Sequence, residues 1–168
     1  AVPRRVLSLP RALRWYANLG IVALNSVVLR LVFPVALVGV ALIAEQRDWG
    51  LFNVVDIPRW LAILGGAILL DFAIYLQHIM VHAVPMFWRL HRMHHADMDY
   101  DVTTGARFHP IEILLSGALK MVAVVLLGAP AISVVIFEVL LNATAMFNHA
   151  NVKLPEKVDS VLRLFVVT

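Results

Sequence analysis

Long apolar runs alternate with short polar breaks along the chain. The first run extends from about Leu19 to Ala44, with Arg30 and Pro34 inside it. The second runs from about Trp60 to Ala83, the third from about Ile113 to Leu127 and the fourth from about Ala131 to Phe147. About 20 apolar residues cross a bilayer core as a helix. The first two runs are long enough, and the last two are shorter. Only Gly128-Ala129-Pro130 separates the last two, so they read as a helical hairpin with a tight turn. The pattern predicts an all-α fold, an integral membrane bundle of four transmembrane or re-entrant helices over 19–168. A polar arm over 1–18 precedes it. No internal repeat and no low-complexity segment interrupts the reading.

Composition agrees. The 168 residues are 61% hydrophobic and 15% charged, against about 45–50% and about 25% in soluble domains. There is no cysteine, which excludes disulfides, iron–sulfur clusters and thiolate zinc sites. Any metal must rest on imidazole, carboxylate or water. The net charge of +3 is modest, and the basic residues gather at the ends of apolar runs. They read as topology signals rather than a nucleic-acid surface. Arg4, Arg5, Arg11 and Arg14 lie in the arm; Arg89, Arg92 and Arg107 lie between runs two and three; Lys153, Lys157 and Arg163 lie in the tail. Arg47 and Arg59, between runs one and two, are offset by Glu45, Asp48 and Asp56. Both termini and the loop after run two are therefore expected on the cytoplasmic side. The chain starts at Ala1 and reads as a piece of a longer gene product.

The candidate chemistry lies in that loop. His78, His82, His91, His94 and His95 fall within eighteen residues. His78 and His82 are four apart and share one helix face. His91, His94 and His95 do the same if that stretch is helical. Five imidazoles exceed what one tetrahedral zinc uses, whereas two ions about 3.5–4 Å apart would use them all. Imidazole also suits copper, iron and nickel, so ligand type does not choose the metal. A lone histidine in an apolar helix is more often packed than ligating; the combination of boxes is what points to metal.

Polar residues extend the pattern. Asp71, Tyr75, His78 and His82 make one stripe on run two, and Glu138, Asn142, Ala145 and His149 make another on run four. Ionisable residues in a span usually face the bundle interior, so the stripes are expected to face each other, with His149 as a sixth nitrogen. Asp71 and Asn142 would orient ligand imidazoles or act as polar glue between helices. Lys120 is expected to pair with Glu138. Asp97, Asp99 and Asp101 read as a solvated acidic loop before they read as ligands. Pro110 and Glu112 make an ordinary helix start, and His109 before them is a possible ligand or ligand-supporting residue.

These residues resemble the fatty acid hydroxylase superfamily, also called the sterol desaturase family. Its first box HxxxH stands here as His78-Ile-Met-Val-His82 and its second, HxxHH, as His91-Arg-Met-His-His95. Trp88 to His95, Asp101 to Glu112 and Phe147 to Pro155 are similar to bacterial members, and the likeness covers about residue 60 to the end. A third box, HxxHH, is missing; in the family it follows a segment similar to Leu162–Thr168, so the hydroxylase domain over 19–168 is expected to be C-terminally incomplete and this chain to hold an incomplete site.

The resemblance implies a membrane oxygenase with two non-haem irons, ligated by His78, His82, His91, His94, His95 and His149. It would use O2 and electrons from a reductase, ferredoxin or cytochrome b5-like donor to hydroxylate or desaturate a lipid such as a sterol or fatty acyl chain. A bacterial inner membrane, with the boxes facing the cytoplasm, is the implied location. A haem-binding cytochrome would place isolated histidines deep in two spans. A zinc intramembrane hydrolase would carry a glutamate inside its box. Both alternatives fit the boxes less well.

Overall fold

A computed structural model describes residues 5–163, which contain helices and no strand. Arg4 of the arm and residues 164–168 lie outside the described residues. Four stretches are long and apolar enough to cross a membrane: Arg11–Val54, Arg59–Ala83, Pro110–Leu127 and Ala131–Asn148. The protein is an integral membrane protein.

Helix α1 (Arg11–Val32) stops before Pro34, which cannot donate a backbone hydrogen bond. Helix α2 (Leu37–Gln46) resumes the first run, and the short α3 (Leu51–Val54) turns the corner. Helix α4 (Arg59–Ala83) is the second span. Pro85 ends it, because a residue before proline avoids helical backbone; Val84 is extended at φ −95, ψ 118. Pro85 then opens α5 (Pro85–His95) as its first residue. A single 3-10 turn (Thr104–Ala106) leads to α6 (Pro110–Leu127). Helix α7 (Ala131–Asn148) follows, and α8 (Glu156–Leu162) closes the described chain.

The turn between α6 and α7 needs glycine. Gly128 is left-handed at φ 61, a conformation that costs other residues free energy. A Cβ there would also lie 2.6 Å from the carbonyl oxygen of Trp49. The α6–α7 turn therefore docks onto the α2–α3 corner, at the end of the bundle away from the histidines. Asn53 Nδ2 donates to the Trp49 carbonyl at 2.7 Å and holds that corner.

Helices α2, α4, α6 and α7 share a small core of Leu37, Ala41, Leu70, Val124, Ala129, Val134 and Phe137. Gly66 lies so close to Ser133 that a Cβ would meet its Oγ at 2.8 Å, the small-residue contact that lets membrane helices approach. The interface between α4 and α7 runs along this face. The two polar stripes do not form it, contrary to expectation: Asp71 and Asn142 are exposed, and Asn142 Nδ2 donates to Glu138 O of its own helix at 2.7 Å. The bond that does cross from α4 to α6 runs from Ser116 Oγ to Gln77 Oε1, at 3.1 Å. The expected pair does form, with Lys120 Nζ 3.6 Å from Glu138 Oε1. Elsewhere the apolar faces of the spans are exposed, among them Ile68, Val122, Leu126 and Val139.

Candidate metal centre

The end of α4 presents His78 and His82 one turn apart, with ring centroids separated by 4.8 Å. The Val84–Pro85 turn folds α5 back and brings His91 to 5.0 Å from His78 and 4.7 Å from His82. One nitrogen from each of these three rings lies within 4.8 Å of the others. His95 is 5.0 Å from both His82 and His91. His94 lies 5.3 Å from His91 and 4.7 Å from His149, which caps α7. The six histidines expected as ligands thus form one contiguous group where α4, α5 and α7 end.

Three of these rings are held by their Nδ1 atoms. Glu112 Oε1 lies 2.6 Å from His91 Nδ1. With a carboxylate oxygen as the acceptor, Nδ1 is the donor, and in a neutral ring Nε2 is then left with a bare lone pair. His149 Nδ1 donates to the Ala145 carbonyl at 2.6 Å, and His94 Nδ1 faces the Arg107 carbonyl at 3.3 Å. Metal-binding histidines are usually oriented in this way. His91 is fully buried, and its Nε2 has no hydrogen-bond partner among the described residues. A buried polar atom left unsatisfied is costly, and a cation would satisfy this one. The donor set therefore fits a metal held by nitrogen.

Electrostatics favour neutral ligands. Burial, then the neighbouring His149, His91 and His95, pushes His94 down to about 3. His95 is also lowered, by burial and then by His91, His82 and His149. Neutral imidazole is the form that binds metal. Aromatic rings flank the group, with Phe108 stacked on His94 at 4.5 Å and 4° and Trp88 5.3 Å from His82 and 5.6 Å from His95, while His78, His82 and His95 remain exposed.

The acidic loop is not a solvated one. Asp97 and Asp99 are buried. Arg14, on α1, reaches Asp97 at 3.1 Å and Asp101 at 2.9 Å. Asn18 and Thr104 also donate to Asp97, and the Ser8 and Leu9 amides donate to Asp99. Burial opposes the charge on Asp97, but the hydrogen bonds of Thr104 and Asn18 and the charge of Arg14 outweigh it, so its carboxyl lies below the ordinary value. The loop that carries the second box into α6 is thereby clamped to the N-terminal helix.

The other candidates lie apart. His109 Nδ1 accepts the Ile111 amide at 3.2 Å and so caps α6, and no ring contact joins it to the cluster among the described residues. Asp71 is a little under two helical turns before His78 on α4. Residues not singled out by sequence reasoning as part of the site are Glu112, Phe108, Trp88, Arg14 and Asn18. Glu112 sits after His109-Pro110, where an acid ordinarily serves the helix start, so its spacing carried no separate signal.

A family model described as "Fatty acid hydroxylase" matches residues 63–167. The chain belongs to the fatty acid hydroxylase family. The match runs from the second turn of α4 through α8 and hence covers both boxes and His149. Among curated relatives, an alkylglycerol monooxygenase of Xenopus tropicalis is 31% identical over 96 residues, 54% of this chain and 21% of the relative. An ornithine lipid hydroxylase, OlsE, of Rhizobium tropici is 33% identical over 73 residues, 44% of this chain and 22% of the relative. The aligned part is thus about a fifth of each relative's length. No solved structure matches.

Proposed function

We propose that this protein is a membrane-bound oxygenase with two non-haem irons that hydroxylates a C–H bond of a lipid. The observation that carries this reading is the contiguous group of six histidines in which three Nδ1 atoms are tied to oxygen acceptors and a buried Nε2 is left unpartnered. His78, His82, His91, His94, His95 and His149 would hold the metal. Bound iron would supply the activation of O2. The overall reaction takes R–H, O2, two electrons and two protons to R–OH and water, with the electrons delivered by a separate donor protein.

The chain's own residues set the surroundings. Phe108 stacks on His94, and His91 and His94 are buried, whereas His78, His82 and His95 are exposed at the open side of the group. The apolar faces of the spans are exposed, and in this reading a lipid chain would approach the histidine end of α4 from the membrane. Hydroxylation is favoured over desaturation because both named relatives are a monooxygenase or a hydroxylase, and both names specify a lipid. The region over 19–168 is the hydroxylase domain in this reading, and the histidine end faces the cytoplasm of a bacterial inner membrane.

The test joins metal analysis to lipid profiling of cells with and without the gene. The expected results are two irons per chain of the full-length gene product and a hydroxylated lipid that disappears without the full-length gene. Haem absorbance, or tightly held zinc that iron does not replace, would overturn the reading. In the full-length protein, His94→Ala should abolish both iron binding and turnover, because it removes a buried ring that touches His91, His95 and His149; retained turnover would refute its role as a ligand.

A further inference from the structure

We infer that Glu112 is a positioning residue of the metal centre, holding the His91 ring so that Nε2 is presented as a ligand. This rests on the metal reading given above. Glu112 lies in the first turn of α6 and is buried, as is His91. The 2.6 Å contact between them joins α6 to α5.

Two ordinary explanations fit the geometry poorly. An acid in the first turn usually serves the helix's own free amides. Here the cap is made by His109, whose Nδ1 accepts the Ile111 amide, and Glu112 points to His91 instead. A simple structural ion pair is the second explanation. It would require a doubly protonated His91, whose Nε2–H would then need an acceptor. Nε2 has none, and Glu112 Oε2 is also buried without a partner. The pair is thus incomplete at both outer atoms. A cation on Nε2 completes it: the ring bridges metal and carboxylate, and the buried negative charge gains a positive counterpart. Partners of this kind fix the tautomer and raise ligand basicity, and losing one typically weakens metal binding by about 10- to 100-fold.

The experiment uses the whole metal-free protein in lipid nanodiscs, titrated anaerobically with Fe(II) and, for its absorption bands, with Co(II). Wild type is compared with Glu112→Gln, Glu112→Ala and His91→Ala. Glu112→Gln keeps the side-chain volume and an acceptor oxygen but removes the charge. The expected result is Fe(II) affinity lowered by about 10- to 100-fold in Glu112→Ala, a smaller loss in Glu112→Gln, and displaced Co(II) bands in both at saturation. A purely structural pair would instead lower the melting temperature of the metal-free protein and leave affinity and bands as in wild type. That result overturns the inference, as does failure of both variants to fold. If wild type takes up neither ion, or His91→Ala binds as wild type does, the metal reading itself falls and this inference falls with it.

Discussion

His94 shows how much one side chain can carry. It stacks on Phe108, touches His91, His95 and His149, and lies almost wholly out of water. Its folded-state value of about 3 against an ordinary 6.5 makes a pH prediction. The unfolded chain takes up a proton as pH falls below about 6.5, while the folded chain takes it up only near 3. The unfolded state binds more protons in that interval, so metal-free stability falls as pH drops through it. Equilibrium unfolding of the metal-free protein between pH 7.5 and 4.5 should show this decline, reduced in His94→Ala; equal slopes in the two proteins would refute it. The histidines were legible in the sequence because their spacing matches a helical turn and survives in one dimension. His149 was legible by the same periodicity, counted from Glu138. Glu112 was not, because its role depends on α5 folding back against α6, which no local spacing encodes.

At the scale of elements, hydropathy located three spans closely: Trp60–Ala83, Ile113–Leu127 and Ala131–Phe147 against helices Arg59–Ala83, Pro110–Leu127 and Ala131–Asn148. The start of α1 was missed. Arg11, Arg14 and Asn18 read as a polar arm, yet all three lie on a helix, with Arg14 and Asn18 buried against the Asp97–Thr104 loop. Polarity alone cannot distinguish a side chain in water from one in a buried ion pair. The same confusion made Asp97 and Asp99 read as solvated. The clasp predicts a large effect. Arg14 and Asp97 side chains are each only 4% exposed, and removing one partner of a buried pair costs about 3–5 kcal/mol because the other charge is left uncompensated. Arg14→Ala should lose about that much in reversible unfolding from detergent micelles. Arg14→Lys should recover only part of it, since a lysine cannot span Asp97 and Asp101 with a planar fork. A loss below about 1 kcal/mol, the size of an exposed pair, would show that the clasp is open in the membrane.

For the whole molecule, the two ends of the bundle differ in both chemistry and charge. Ring contacts place the ends of α4 and α7 together at the histidine cluster, while Gly128 meets the Trp49–Gly50 corner at the other end. The histidine end gathers Arg89, Arg92, Arg107, Lys153 and Lys157, and the corner carries Arg47 and Arg59 among Glu45, Asp48 and Asp56. Lysine and arginine accumulate on the cytoplasmic side of short loops, so the field of charges favours a cytoplasmic cluster. That matters for function, because the electron donor this reading requires must reach the same side. The absence of native cysteine makes a clean test possible. Met98→Cys and Gln46→Cys each replace an exposed, uncharged residue, one near each end, without altering the charges that set topology. In intact cells or sealed spheroplasts, a membrane-impermeant maleimide should modify Gln46→Cys and leave Met98→Cys untouched until the membrane is opened. The reverse pattern would place the histidines outside the cell, and an electron donor in the cytoplasm could then not serve them.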